Sequence, residues 1–240
     1  MPGSVVWRGP SRIDGKPIVV VAVWSSDNRK TGDMLQTYIL REDLSPVEAS
    51  KYGEDESICG NCVHRGTPTL DPDVKEAQER TCYVVLAQGP TVVFKQLLSN
   101  AYPDNTTQAQ RRAVGKGRVV RIGTYGDGAA APRYVWDDLL HESLGHTGYS
   151  HQWRTAPDMR DICMASVESM EELEEAQALG WRTYRVLPQA NAVSHKSEIP
   201  CPSPRVKCVD CKLCGGARIQ AKSITIAVHG PRAKYFMKEV

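Results

Sequence analysis

The stretch Asp161-Ile-Cys-Met-Ala-Ser-Val-Glu-Ser-Met-Glu-Glu-Leu-Glu-Glu-Ala-Gln-Ala-Leu-Gly-Trp-Arg-Thr-Tyr-Arg-Val-Leu187 decides the fold class. Asp161 to Val167 is a short, mostly apolar run, which predicts a buried strand. Ser169 followed by Glu172 makes a capping box and predicts a helix to Leu179, stopped by Gly180. Trp181 to Leu187 predicts the next strand. A strand, a helix and a strand in so short a span form a βαβ unit, and such a unit needs a parallel pair. Cys163 reads as a packed core thiol, and Glu168 ends the first strand.

Working outward, Arg118 to Tyr125 predicts a strand that ends in the turn Gly126-Asp127-Gly128. Pro132 then opens a helix with Val135, Trp136, Leu139 and Leu140 facing inward. A strand, a glycine-rich turn carrying an acid and a helix is the layout in which α/β proteins place chemistry. The same acid can equally serve as a turn former. His146 to Arg154 combines rings, imidazoles, an amide and a guanidinium, with a short strand expected over Tyr149 to Trp153. Those groups suit stacking on a planar base, or a hydrogen-bonded structural corner.

Pro17-Ile-Val-Val-Val-Ala-Val-Trp24 is a continuous β-branched run and predicts a strand buried on both faces. Residues 1–16 read as polar and turn-rich, and Gln36 to Leu40 as a short strand. Ser45-Pro46 starts a brief helix. Thr81 to Ala87 predicts another buried strand. Gly89-Pro90 opens a helix whose apolar face is Val92, Val93, Leu97, Leu98 and Ala101, and a polar helix follows from Thr106 to Val114. After a polar linker from Pro188 to Ile199, Ser223 to Val228 predicts the last strand. Six or seven strands separated by helices predict an α/β protein, specifically a small or incomplete (β/α) TIM-like barrel. An open doubly wound sheet is the alternative. The expected division is a barrel domain over 1–198, with a cysteine-containing insert near 57–82, and a zinc-binding segment with the final strand over 199–240.

The chain has 240 residues, 41% of them hydrophobic, and a net charge of +2, so it can bury a sizeable core but carries no polyelectrolyte signature. The N-terminus lacks the basic and apolar regions of a signal peptide, and no apolar run is long enough to span a membrane. No phosphate loop, dinucleotide fingerprint or nucleophile elbow occurs. A cytoplasmic protein is expected, and its eight cysteines then point to metal or chemistry rather than to disulfides.

Four of those cysteines, Cys201, Cys208, Cys211 and Cys214, fall within fourteen residues, with His229 downstream. Paired C-x-x-C spacing lets thiolates converge on one ion, zinc above all, with an iron–sulfur cluster as the alternative. A second candidate set is Cys59, Cys62, His64 and Cys82.

The knuckle Cys208, Cys211, Cys214 and His229 resembles the zinc site of the tRNA-guanine transglycosylases, though the first gap is longer, the His comes sooner and Cys201 is extra. Cys59 to Tyr83, Arg121 to Asp127, and Met164 to Val167 with Gly180 to Arg185 together resemble bacteriophage-encoded DNA-guanine transglycosylases. The resemblance implies a pentosyltransferase that exchanges guanine in DNA for a 7-deazaguanine base. It further implies a covalent carboxylate–deoxyribose intermediate, structural zinc, and the host cytoplasm as compartment. Such chemistry needs a carboxylate nucleophile and a second acid–base group. Asp127 is the expected nucleophile, and Asp14, Asp27 or Glu168 the second group. Tyr125, His151, Gln152 and Trp153 are expected to line the base pocket, and Arg154, Arg29, Lys30 and the basic tail to meet phosphates. The partners are then DNA and the base, with no membrane, and a homodimer is kept in view. The rival class is a non-catalytic zinc module that binds nucleic acid or protein, and an iron–sulfur enzyme is a third.

Overall fold

The computed structural model describes residues 2–24, 28–188, 194–228 and 233–236. In chain order it contains β1 (Gly3–Pro10), β2 (Pro17–Val23), β3 (Leu35–Arg41), α1 (Pro46–Lys51), α2 (Glu56–Cys59), α3 (Gly89–Leu98), α4 (Gln108–Gly115), β4 (Val119–Tyr125), α5 (Arg133–Leu140), β5 (Gly145–Ser150), β6 (Met164–Val167), α6 (Met170–Ala178), β7 (Thr183–Leu187), β8 (Glu198–Pro200), α7 (Cys208–Cys211), β9 (Ser223–Ala227) and α8 (Ala233–Phe236). All nine strands lie in one sheet, ordered β1-β2-β3-β4-β5-β6-β7-β9-β8. The β1–β2–β3 edge is an antiparallel meander, and every pairing from β3 onward is parallel. The protein is therefore of the α/β class. β1 and β8 stand at the two ends, and no pairing among the described residues closes one onto the other. The order from β3 to β7 runs in one direction without the reversal of a doubly wound sheet.

The two faces of the sheet are covered differently, as side-chain alternation requires. Ile122, Ala165 and Val167 join Val135, Trp136 and Leu139 of α5 and Leu173 and Ala176 of α6 in the main core. Tyr149, Met164, Tyr184 and Ile224 point to the other face, where Cys201, Leu213 and Cys214 pack against them. The register aligns these residues in rows, with Tyr149 opposite Met164 and Tyr184 opposite Ile224. The cysteine segment is pinned across this face by backbone bonds. Cys201 N–H donates to Thr225 O at 2.7 Å, Gly148 N–H to Cys214 O at 2.9 Å, and Cys208 N–H to Lys30 O at 3.0 Å. The expected boundary between 198 and 199 falls inside β8, and β9 pairs with β7 as an ordinary member of the sheet.

Four expectations are corrected. Residues 3–10 form a full strand paired with β2 along its length, because its apolar half is buried beside the β-branched β2. Thr81 to Ala87 is not a strand. β4 already occupies the place beside β3, and the Arg80 guanidinium instead donates to the carbonyls of Cys82 and Val84. In α3 the buried side chains are Pro90, Val93, Phe94 and Leu97, while Val92 and Leu98 are exposed. The strand near His146 lies over Gly145 to Ser150, ahead of the expected Tyr149 to Trp153.

Helices α4 and α5 approach so closely that a Cβ on Gly115 would lie 1.8 Å from Leu139 O. Their contact is clamped by Arg111, which donates to Asp138 at 2.7 Å. At the far edge, Arg185 on β7 makes a two-point pair with Glu198 on β8, whose side chain is fully buried. Removing one partner of such a pair strands a buried charge and costs about 3–5 kcal/mol. Glu198→Ala is accordingly expected to lower the unfolding free energy by about that amount. Urea denaturation of the two proteins checks it, and a loss below about 1 kcal/mol would show the pair to be solvated.

Candidate functional site at the carboxyl rim of the sheet

Parallel strands end on a common rim, and three of them bring their following residues together here. The turn after β4 carries Asp127, the residue after β5 is His151, and the residue after β6 is Glu168. Gly126 adopts φ +81° in this turn, and a Cβ there would meet Ile39 at 2.8 Å, so the rim needs glycine at that point.

Asp127 is buried, and its two oxygens are committed. Oδ1 accepts from Ala129 N–H at 2.9 Å and Oδ2 from His151 N–H at 2.7 Å. Its own N–H donates to Ile58 O at 2.6 Å. Burial raises its pKa above 3.8 even against these hydrogen bonds. The carboxylate expected as nucleophile thus ties the ends of β4 and β5 together, while the Asp127 backbone N–H ties them to Ile58 of α2 and so to the segment that follows it.

That segment supplies the rest of the site. Cys62 Sγ lies 3.7 Å from His151 Nε2, and His64 Nε2 lies 3.2 Å from Glu168 Oε1. His151 Nε2 is 3.5 Å from the same carboxylate oxygen. The ligand atoms of His64, His151 and Glu168 all fall within 4.8 Å of one another, the one such group of three His, Cys, Asp or Glu among the described residues. The His64 Nδ1 is engaged by Thr81 Oγ1 at 2.8 Å, and the Phe236 ring lies 5.8 Å from the His64 ring. The three side chains retain 12%, 24% and 23% exposure, so the cluster is lined by protein yet reachable.

The charges are mutually supporting. Burial pushes the Glu168 carboxyl up, but His151 and His64 outweigh it and bring its pKa down to about 2. Burial pushes His151 down, but Cys62, Glu168 and Asp127 hold it well above 6.5. His64 is likewise raised, with Glu168 outweighing burial. The Cys62 thiol is lowered below 9.0, because the two imidazoles outweigh its burial. Burial raises the neighbouring Cys59 and Cys82 thiols instead.

The other expected site residues fall into four groups. Gln152, Trp153 and Arg154 are spent on structure. Gln152 donates to Cys59 O and Asn61 Oδ1, Trp153 Nε1–H donates to Ser166 O, and Arg154 lies over the Trp153 ring while pairing with Glu172 and Glu175. Tyr125 is buried beneath the rim. Asp14 lies in the exposed β1–β2 loop and accepts from the Ser57 hydroxyl. Asp27 and His229 lie outside the described residues.

The thiols of Cys201, Cys208, Cys211 and Cys214 are near enough to influence one another's charge, with Lys30 beside Cys201 and Cys208 and Arg121 beside Cys208. No three of them converge within 4.8 Å among the described residues. Cys163 is fully buried in the main core.

The sequence offered no line joining His64 to His151 and Glu168, since the three arrive from separate loops. The usable signal was that His151 and Glu168 each sit at or near the end of a strand.

Linkage gives the cluster a pH signature. The depressed Glu168 stabilises the fold above pH 4.5 and loses that contribution as pH falls toward about 2, while the raised histidines stabilise it below pH 6.5 and lose theirs as pH rises through their elevated values. The difference in melting temperature between wild type and Glu168→Gln is therefore expected to be greatest between pH 4.5 and 6.5. A difference independent of pH would contradict the ion pairing. No protein-family model, no curated protein and no solved structure matches this chain.

Proposed function

We propose that the chain exchanges a guanine of DNA for a 7-deazaguanine base at the carboxyl rim, with Glu168 as nucleophile. The observation that carries this reading is a partly exposed carboxylate at the rim with one oxygen 3.2 Å from His64 Nε2 and 3.5 Å from His151 Nε2. A target nucleotide is swung out of the duplex to reach it. Glu168 attacks the anomeric carbon of the deoxyribose, forming a carbon–oxygen bond as the bond to guanine breaks. His151 or His64 gives its proton to the departing purine. The incoming base then displaces Glu168, and the imidazole recovers a proton from it. The two-step retention of configuration is that of a retaining glycosidase.

Glu168 takes the part first expected of Asp127 because Asp127 is buried with both oxygens bound to backbone N–H groups. Asp127 instead positions His151. The resemblance to bacteriophage DNA-guanine transglycosylases supports the same reaction class. The one-way strand order supports reading the sheet as an incomplete barrel. Structural zinc on the second face was expected at Cys201, Cys208, Cys211 and Cys214, but no three of these thiols converge within 4.8 Å among the described residues and burial raises Cys201, Cys208 and Cys214, so their placement does not fit a closed zinc site.

Incubating duplex DNA with labelled guanine or 7-deazaguanine is expected to place label in the DNA. Glu168→Gln should abolish incorporation, and His151→Gln should slow it by about 10²–10⁴-fold, the usual loss on removing a proton-transfer group. Label incorporation that persists in Glu168→Gln would remove it as nucleophile. A wild type inactive with every base would overturn the reaction itself.

A further inference from the structure

We propose that His64, His151 and Glu168 form a binding site for one divalent transition-metal ion of the zinc class. The inference stands on geometry and does not require the base-exchange reaction.

Donors around a tetrahedral zinc at about 2.1 Å lie roughly 3.4 Å from one another, and a thiolate lies at about 3.6 Å from a neighbouring nitrogen. Here His64 Nε2 and His151 Nε2 are 3.2 and 3.5 Å from Glu168 Oε1, and Cys62 Sγ is 3.7 Å from His151 Nε2. The two histidine–carboxylate separations match those of ligands that share one ion, and the three donors all lie within 4.8 Å of one another. A nucleophilic relay would be arranged otherwise, with the thiol on one nitrogen of the imidazole and the carboxylate on the other. In this protein both face the same nitrogen of His151.

Two further observations point to a missing ligand. Glu168 Oε2 is buried with no hydrogen-bond partner among the described residues. The His64 Nδ1 is engaged by the Thr81 hydroxyl, an outer contact that fixes the ring and leaves Nε2 aimed into the cluster. Two imidazoles and a carboxylate, the three-ligand set of catalytic zinc sites, suit zinc or cobalt rather than magnesium or calcium. This donor set draws on three separate parts of the chain and replaces the local set of Cys59, Cys62, His64 and Cys82. If Glu168 also serves as nucleophile, metal and sugar compete for it, and bound metal inhibits exchange.

The test is cobalt(II) titration of the reduced, chelator-treated full chain, with bound metal counted by elemental analysis. Wild type is expected to bind one more ion than Glu168→Gln or His151→Gln, and Cys211→Ser should retain the ion in question. Thr81→Val should weaken that ion by about 10–100-fold. Equal counts in wild type and Glu168→Gln would overturn the proposal. To avoid dependence on variants that fold poorly, wild type is treated with diethyl pyrocarbonate with and without zinc. Zinc is expected to shield His64 and His151, read by peptide mass, and equal modification in both samples would also overturn the site. Exchange activity is scored separately, so failure of exchange with metal still bound leaves this inference standing and removes only the reaction.

Discussion

The rim of the sheet hangs on one buried carboxylate. Burying an ionised group without partners is prohibitively costly, so Asp127 must find donors, and the donors it finds are backbone N–H groups of Ala129 and His151. Satisfying that demand fixes the turn after β4 and the exit from β5 together. The Asp127 N–H extends the tie to Ile58, and so places the loop that carries Cys62 and His64. Trp136 adds to the same knot from below, its indole donating to Gly128 O. The positions of His151, His64 and Cys62 all follow from this small network of bonds.

The two faces of the sheet then take different parts. One is a conventional apolar core beneath α5 and α6. The other carries Arg121 amid Tyr83, Tyr149, Tyr184 and Cys208, covered by the cysteine segment. A guanidinium buried among phenols and thiols remains charged, so this face is electropositive where the thiols gather. Burial nonetheless outweighs the Arg121 and Lys30 charges and raises the Cys201, Cys208 and Cys214 thiols, the last to about 12. The chemistry of the rim and the cysteines of this face therefore belong to different surfaces of one sheet.

Legibility tracked how local the physics was. The βαβ unit over 161–187 was readable because its strands, cap and stop are all set by neighbours in sequence, and Ser169 does cap α6 by accepting from Glu172 N–H. β1 was not, because Gly9 and Pro10 mark a turn while the pairing that makes residues 3–10 a strand comes from β2. Thr81 to Ala87 has the composition of a strand, but Arg80 captures its carbonyls and no strand edge is vacant beside it. Gln152, Trp153 and Arg154 have the chemistry of a base pocket, and their donors are consumed by Cys59 O, Ser166 O and two glutamates.

By itself the sequence determined the α/β class, the strands β4, β6 and β7 and the placing of acids at strand ends. Those features rest on hydrophobic period, capping and turn chemistry, each of which acts over a few residues. Only the tertiary structure decided which acid is buried and which is accessible. It likewise decided that the sheet is not closed among the described residues, and that Glu168 rather than Asp127 meets two imidazoles. Such outcomes depend on distances between residues about a hundred positions apart in the chain, as with His64 and Glu168, and no local pattern encodes those distances.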